Sequence, residues 1–126
     1  MKTKLLILFL SFLLIACEKR LDTEVAIKHA TGKTYTLVAP YKDYGITINI
    51  HENKINGFAG VNSYNGSFEI INGSIRIYNI SRTKMAGQDK VMKAEEDYIK
   101  NLEAASKITL YKNELRIGNM KFIEKK

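Results

Sequence analysis

Apolar and polar positions divide the chain into three parts. Residues 5–16 are apolar except for Ser11, and residues 18–33 are mostly polar with no regular period. From Lys33 onward apolar and polar residues alternate, which is the pattern of strands that bury one face. The sequence therefore predicts a short apolar segment, a polar tether and a β-rich domain.

The alternation predicts eight short strands. Residues 46–51 alternate between isoleucine and polar side chains, and Glu52-Asn53 predicts a turn into the next strand. Asn72-Gly73 marks the clearest hairpin, because this pair tolerates the positive φ of both central positions of a type I′ turn. The predicted strands are 34–38, 46–51, 54–59, 67–71, 74–80, 108–110, 115–117 and 120–122.

One helix is predicted between the two groups of strands, within residues 89–107. A mostly apolar stripe recurs there at helical spacing and comprises Val91, Glu95, Tyr98, Ile99, Leu102 and Ala105. Such a stripe must pack on a sheet. We therefore expect a mainly β fold with one α-helix, in which a small antiparallel, barrel-like sheet of about eight strands is closed or plugged by that helix. A split sheet covered by the helix is the alternative.

The apolar segment has the features of a lipoprotein signal peptide. Lys2 and Lys4 precede it, Cys17 follows it, and its 12 residues are too few to span a membrane, which takes about 20. Leu14-Ile15-Ala16-Cys17 forms a lipobox. In that chemistry a diacylglycerol alkylates the thiol of Cys17, the chain is cut before Cys17, and the new amino group accepts an acyl chain such as palmitate. One alternative is cleavage by an ordinary signal peptidase without lipidation. The other is that the apolar segment forms a buried core helix.

The expected organisation is a signal peptide over 1–16, a lipidated cysteine and tether over 17–33, and one folded domain over 34–126. Such an anchor indicates the cell envelope of a bacterium. Glu18 is not the aspartate that typically retains lipoproteins at an inner membrane. We therefore expect the outer membrane in a two-membrane bacterium, and otherwise the extracytoplasmic face of the cell membrane.

Charge and cysteine content narrow the function. Removing residues 1–16 leaves 110 residues and lowers the formal net charge from +7 to +5, because Lys2 and Lys4 are lost. With Cys17 committed to lipid, the folded part has no disulfide, thiolate nucleophile or cysteine metal site. A basic surface suits an anionic envelope polymer or lipid head groups, but an ordinary solvated, lysine-rich surface is the simpler interpretation. We expect a monomer that binds no nucleic acid.

Two segments carry a resemblance to a known family. The first is Gly57-Phe58-Ala59-Gly60-Val61-Asn62-Ser63-Tyr64-Asn65-Gly66, and the second is Thr83-Lys84-Met85-Ala86-Gly87, before a helix that opens near Met92. In this order and spacing, from about Gly32 to Ile123, the chain resembles the META domain family, also called HslJ-like. The resemblance implies links to envelope stress, heat shock and antibiotic tolerance, without a defined biochemical activity.

The chain departs from the family pattern in its cysteines. Family members often carry cysteine at the positions of Val61 and Gly87, and the resemblance implies that such a pair forms a disulfide. Both cysteines are absent here, which excludes any function built on them. By the same resemblance, Val61 and Gly87 are expected to lie close in space. Tyr35 stands where members usually have tryptophan, and it keeps an amphipathic aromatic in the first strand.

The candidate residues of a structural or interaction motif are Gly57, Gly60, Asn62, Gly66, Thr83 and Met85. The glycines fit bulges and tight bends better than a phosphate-binding loop, which would open a helix and carry Lys-Ser/Thr. Asn62 is expected to bond backbone groups in the bend, with ligand binding as its second interpretation. Thr83 and Met85 either bond local backbone and fill the core, or belong to a mobile rim over residues 82–87 that meets an anionic ligand.

No catalytic residue, cofactor or metal site is predicted. His29 lies in the expected tether and His51 faces away from the isoleucine stripe, so neither has a ligand or carboxylate at a useful spacing. Glu95, on the apolar side of the predicted helix, is more typical of a structural partner than of a general acid. We expect a non-catalytic lipoprotein whose domain binds a partner or stabilises the envelope.

Two other functions remain as alternatives, a lipocalin-like carrier of a small ligand and a hydrolase of envelope polymers. The predicted inward residues are Ile48, Phe58, Phe68, Ile77 and Leu110. Small barrels of eight strands are usually filled by their own side chains. We therefore expect a packed interior, with any partner meeting the outer surface or residues 82–87.

Overall fold

A computed structural model describes residues 20–126, so the predicted signal peptide and Cys17 lie outside the described residues. The elements are α1 (Thr23–Ala30), β1 (Thr34–Ala39), β2 (Thr47–His51), β3 (Lys54–Phe58), β4 (Ser63–Ile71), β5 (Ser74–Arg82), α2 (Asp89–Ala104), β6 (Ile108–Tyr111), β7 (Glu114–Ile117) and β8 (Met120–Glu124). The predicted fold class, mainly β with eight antiparallel strands and a helix packed on the sheet, is confirmed.

All eight strands belong to one antiparallel sheet with the order β5-β4-β3-β2-β1-β8-β7-β6. The sheet curls into a half-barrel whose edge strands are β5 and β6. A backbone hydrogen bond of 2.9 Å, from the Ile75 N–H to the Ser106 carbonyl, joins β5 to the residues before β6. The predicted hairpin turn is confirmed, because Asn72 and Gly73 have φ values of 52° and 78°.

Successive connections alternate between two ends of the half-barrel, because all neighbouring strands are antiparallel. We call the end with the turns at residues 52–53, 72–73 and 112–113 the hairpin end. The opposite end, which carries residues 40–46, 59–62, 83–88 and 118–119, is the loop end. Each strand from β2 to β5 therefore separates a tight turn from a longer connection, whereas β7 has a two-residue turn at each end.

Helix α2 packs its buried side on the concave face of the sheet. Tyr98 is fully buried, its ring meets Phe122 edge-on at 6.2 Å between centroids, and its hydroxyl lies 2.5 Å from that of Tyr64. Burying a large side chain of this kind contributes about 2–3 kcal/mol. The aromatic contacts therefore join α2 to β4 and β8 and occupy the middle of the concave face.

Residues 23–30 form a second helix, so the expectation of a single helix is wrong. The buried residues of α1 are Thr23, Ala26, Ile27 and Ala30, which share one face at helical spacing. Leu21 also pairs with Leu110 of β6 through hydrogen bonds of 2.7 and 2.9 Å. Residues 20–33 are thus part of the fold rather than the expected tether, and His29 lies on the exposed side of α1.

The predicted inward residues are buried with one exception. Ile48, Phe68, Ile77 and Leu110 belong to the core, whereas Phe58 is 38% exposed. In β3 the inward positions are Ile55 and Gly57, so the two-residue period directs Phe58 outward. Neither helix in the described part of the chain has the length and apolar character needed to cross a membrane.

Candidate functional site

A bend between β3 and β4 brings two backbone N–H groups onto one carboxylate. Gly60 has φ +125°, a conformation that L side chains rarely adopt, and a Cβ there would lie 3.4 Å from Val91 of α2. The N–H groups of Val61 and Asn62 then point at Oε1 of Glu95, at 3.0 and 2.7 Å. Consecutive N–H groups of this kind form a concavity that favours an anion.

Glu95 is fully buried, and its second oxygen is also bonded. Oε2 accepts hydrogen bonds from Nδ2 of Asn62 at 2.8 Å and from the Arg82 guanidinium at 3.2 Å. Burial alone would raise the pKa of Glu95. The hydrogen bonds from the Asn62 side chain and from the two backbone N–H groups, together with the charge of Arg82, outweigh burial and hold this pKa below its ordinary value. Glu95 is therefore an ionised, fully hydrogen-bonded group.

Asn62 links Glu95 to the loop before α2. Its Oδ1 accepts hydrogen bonds from the Thr83 hydroxyl at 2.8 Å and from the Met85 N–H at 2.7 Å. Its Nδ2 donates to the Met85 carbonyl at 3.2 Å as well as to Glu95. The Met85 N–H can only donate and its carbonyl can only accept, so the orientation of the Asn62 amide is settled. All four hydrogen-bonding positions of this amide are used.

The loop held by Asn62 forms one wall of an open cleft of about 430 Å³ at the loop end. Its lining residues are Asn62, Arg82, Thr83, Lys84, Met85, Ala86, Met92, Glu95 and Glu96. Met85 is 64% exposed although both polar groups of its backbone are bonded. The cleft thus combines an apolar surface with two basic and two acidic side chains, on a loop whose backbone is held by Asn62.

The structure brings three of the six candidate residues into the cleft, namely Asn62, Thr83 and Met85, and Gly60 shapes the bend beneath it. Gly57 and Gly66 lie elsewhere in the sheet. A Cβ on Gly57 would approach the Thr47 carbonyl to 2.2 Å, so glycine is required there. Gly66 lies where the β4–β5 register shifts, as expected for a bulge.

Val61 and Gly87 are neighbours, as the family resemblance implies. A Cβ on Gly87 would lie 3.4 Å from the Cβ of Val61 and 2.5 Å from one of its methyl groups. Two cysteines at these positions would have Cβ atoms close to disulfide spacing. Here the valine side chain covers the glycine and fills the space instead.

Arg82 and Glu95 are the central charged residues that the set of candidates left out. The available signal was Glu95 itself, a carboxylate within the apolar stripe of the predicted helix, where a buried charge requires partners. Within residues 20–126, no three His, Cys, Asp or Glu side chains come together as metal ligands. Hydrogen bonds of Asn62 and Glu95 and the exposed Met85 define the cleft.

Two features define the class of domain. The first is the curled eight-stranded half-barrel with a helix on its concave face, and the second is the Gly-x-Asn bend that is hydrogen-bonded to a Thr-x-Met loop. The chain belongs to the META domain family, whose model matches residues 20–124. The match includes α1, whereas the sequence resemblance began only at about Gly32.

A solved structure has the same fold. It is an NMR structure of a protein from Burkholderia xenovorans, with a TM-score of 0.57 and 16% sequence identity, and the alignment covers 83% of this chain and 90% of that one. At this identity the similarity shows the fold alone. No match was found among the curated proteins searched.

Proposed function

We propose that this protein is a lipid-anchored envelope protein of a bacterium, whose META domain binds a partner at the loop-end cleft without catalysing a reaction. One observation carries the proposal: Asn62 bonds both backbone groups of Met85, and Met85 is nevertheless 64% exposed. A rigid backbone that presents an exposed, adaptable apolar side chain is typical of a binding surface.

The partner we propose is an apolar segment of another envelope protein. Met85 and Met92 line the cleft together with the Ala86 methyl group, and methionine packs well against varied apolar shapes. Lys84 and Glu96 border this surface, and Arg82 is paired with Glu95, so the lining suits an apolar segment that carries charges of both signs. An anionic envelope polymer is the second candidate, favoured by Lys84 alone. Because Tyr64, Tyr98 and Phe122 occupy the concave face, we place the ligand in the cleft rather than the interior.

The hydrogen bonding of Glu95 supports a function without catalysis. A general acid needs a pKa near the working pH, which burial supplies when a carboxyl lacks donors. Glu95 has four donors, and its pKa is held below the ordinary value. We therefore assign this carboxylate to the construction of the cleft.

The anchor we propose is Cys17, on the lipobox Leu14-Ile15-Ala16-Cys17. Membership of the META family, through the family's links to stress, favours a role in envelope stress or antibiotic tolerance. Cys17→Ser should abolish labelling by radioactive palmitate and leave precursor or shed protein. Acyl label that persists on the Cys17→Ser protein would contradict the anchor.

A photo-crosslinking amino acid at Met85 tests the cleft in living cells. Ile71 is a matched control, because it is also an exposed apolar residue, at 53%, and lies near the other end of β5 from the cleft. We expect a discrete crosslinked protein from position 85 and none from position 71. Identical crosslinks from both positions, or none from position 85, would overturn binding at the cleft.

A further inference from the structure

Arg20 and Leu21, the first residues that the structure describes, contact β6 and β7. Leu21 pairs with Leu110 through two backbone hydrogen bonds. The Arg20 guanidinium lies 3.3 Å from the Glu114 carboxylate and 5.6 Å from the centre of the Tyr111 ring. These contacts fix the position of Arg20 beside β6 and β7.

Arg20 lies only a few residues along the chain from the proposed lipid on Cys17. Only Glu18 and Lys19 separate Cys17 from Arg20. Three residue steps span at most about 11 Å, even when fully extended. This length is close to the distance of about 8–10 Å over which charges act at physiological salt. The surface around Arg20 therefore lies within the electrostatic field of a membrane that holds Cys17.

The surface around Arg20 is positively charged. Glu114 is bonded by Arg116 at 2.9 Å, by Lys121 at 3.2 Å and by Arg20, so three cations surround one carboxylate. The hydrogen bonds from Arg116 and Lys121 are the main reason that the pKa of Glu114 is lowered to about 2. We call these four residues the Glu114 patch.

The Glu114 patch faces solvent on the outer side of β6–β8. Arg116 alternates with the buried Leu115 and Ile117, so its side chain points away from the core. The exposed Lys125 and Lys126 follow β8 at the same end of the molecule, where the Glu124 N–H bonds the Asn113 carbonyl. Arg116 and Lys121 face each other across β7 and β8, and Arg20, Lys125 and Lys126 extend the positive charge toward the hairpin end of these strands, beside Glu124.

The cleft lies at the opposite end of the strands from the hairpin end of β6–β8. The cleft begins where β5 ends, at Arg82, and β5 starts near the hairpin end at Ser74. The nine residues of this strand span about 30 Å along its axis. A surface that held the hairpin end of β6–β8 would leave the cleft open.

Resting on the proposed lipid anchor, we propose that the Glu114 patch lies against the anionic head groups of the membrane that holds Cys17, so that the loop-end cleft points away from that membrane. Clusters of basic side chains beside a membrane anchor are attracted to anionic lipids. The lipid holds the domain at the surface, and the Glu114 patch selects its orientation.

Two asparagines in matched turns offer sites for a probe. Asn113 lies in the β6–β7 turn at the hairpin end, and Asn119 lies in the β7–β8 turn at the loop end. Both are exposed. In the lipidated protein the Cys17 thiol is blocked, so Asn113→Cys or Asn119→Cys carries the only free thiol for a fluorophore. Each protein is reconstituted in vesicles that carry a quencher at the head groups.

We expect the probe at residue 113 to be quenched at least about twofold more strongly than the probe at residue 119, because they lie about 15–20 Å apart along β7. The difference should appear in mixed phosphatidylcholine–phosphatidylglycerol vesicles and shrink in phosphatidylcholine alone. Arg116→Gln/Lys121→Gln should remove the dependence on anionic lipid, and circular dichroism would verify that this variant is folded.

The outcomes separate the orientation from the anchor. Acylated protein that floats with the vesicles but shows equal quenching at both sites, or stronger quenching at residue 119, would overturn the orientation alone. Quenching that does not depend on anionic lipid would overturn the role of the Glu114 patch. Protein that carries no acyl mass and does not float would overturn both the anchor and the orientation.

Discussion

The Asn62 amide and the Glu95 carboxylate depend on each other. Glu95 supplies acceptors for two backbone N–H groups that the bend at Gly60 would otherwise leave buried without partners. Asn62 supplies a donor to the same carboxylate and two bonds to Met85. Aspartate at position 62 could not replace the donor bonds, because an ionised carboxylate only accepts.

Replacing Glu95 by glutamine should destabilise the fold. In Glu95→Gln an NH₂ group replaces one acceptor oxygen and faces groups that are themselves donors. Buried N–H groups that bond Glu95 then lose their acceptor. We expect a loss of about 3 kcal/mol in the free energy of unfolding. Glu96→Gln is the matched control, because Glu96 is the exposed neighbour in α2, and its effect should stay within about 0.5 kcal/mol. Equal effects of the two changes in urea unfolding would contradict the network.

The stability should fall in acid. The pKa values of Glu95 and Glu114 are lower in the folded chain than their ordinary value of 4.5, with that of Glu114 near 2. Their stabilisation is therefore complete above about pH 4.5 and is lost as the pH falls through the folded pKa values. We expect a flat free energy of unfolding from about pH 7 to 5, then a decline, with a shallower decline in Glu114→Gln. Stability that increased on acidification would rule this out.

At the scale of elements, local chemistry made the hairpins and α2 predictable. Asn72-Gly73 carries its own turn geometry, and α2 carries a stripe of four turns. Helix α1 was missed because it has eight residues inside a polar stretch, although Thr23, Ala26, Ile27 and Ala30 recur at helical spacing. Its burial depends on packing against distant β6, which no local pattern reveals.

The cleft shows the same division. The spacing of the glycines predicted bends. The hydrogen-bond partners of Asn62, however, are Met85 and Glu95, which follow it by 23 and 33 positions in the chain. Such pairings arise only when β4, β5 and α2 meet. The prediction that Phe58 points inward was wrong for a different reason. In β3 a shift of one residue in the alternation decides which face of the sheet a side chain takes.

The contact between the β3–β4 bend and the loop before α2 can be tested with a covalent link. Val61→Cys/Gly87→Cys should form an intramolecular disulfide on oxidation, because the Cβ positions are 3.4 Å apart. The closed loop should add about 3 kcal/mol to the free energy of unfolding. Intact mass and mobility with and without reductant would measure it, with Val61→Cys as the control. Free thiols that persist in the oxidised, folded double variant would contradict the contact.

At the scale of the whole molecule, the fold separates two surfaces. Arg20 contacts β6 and β7 beside further basic side chains, whereas the loop end carries the cleft. Leu21 pairs with β6, which covers one of the two edges of the half-barrel. In the proposed arrangement the domain holds a partner on one side while its other side stays at the membrane.

The proposal that the molecule binds a partner rather than catalyses a reaction depends most directly on the state of Glu95. Its carboxyl carbon can be followed by NMR in labelled protein while the pH is lowered, with Glu95→Gln to assign the signal. We expect Glu95 to titrate below 4.5, as a carboxylate held by four donors must. A pKa raised above that value, toward neutrality, would contradict the structural role and indicate a general acid at the cleft.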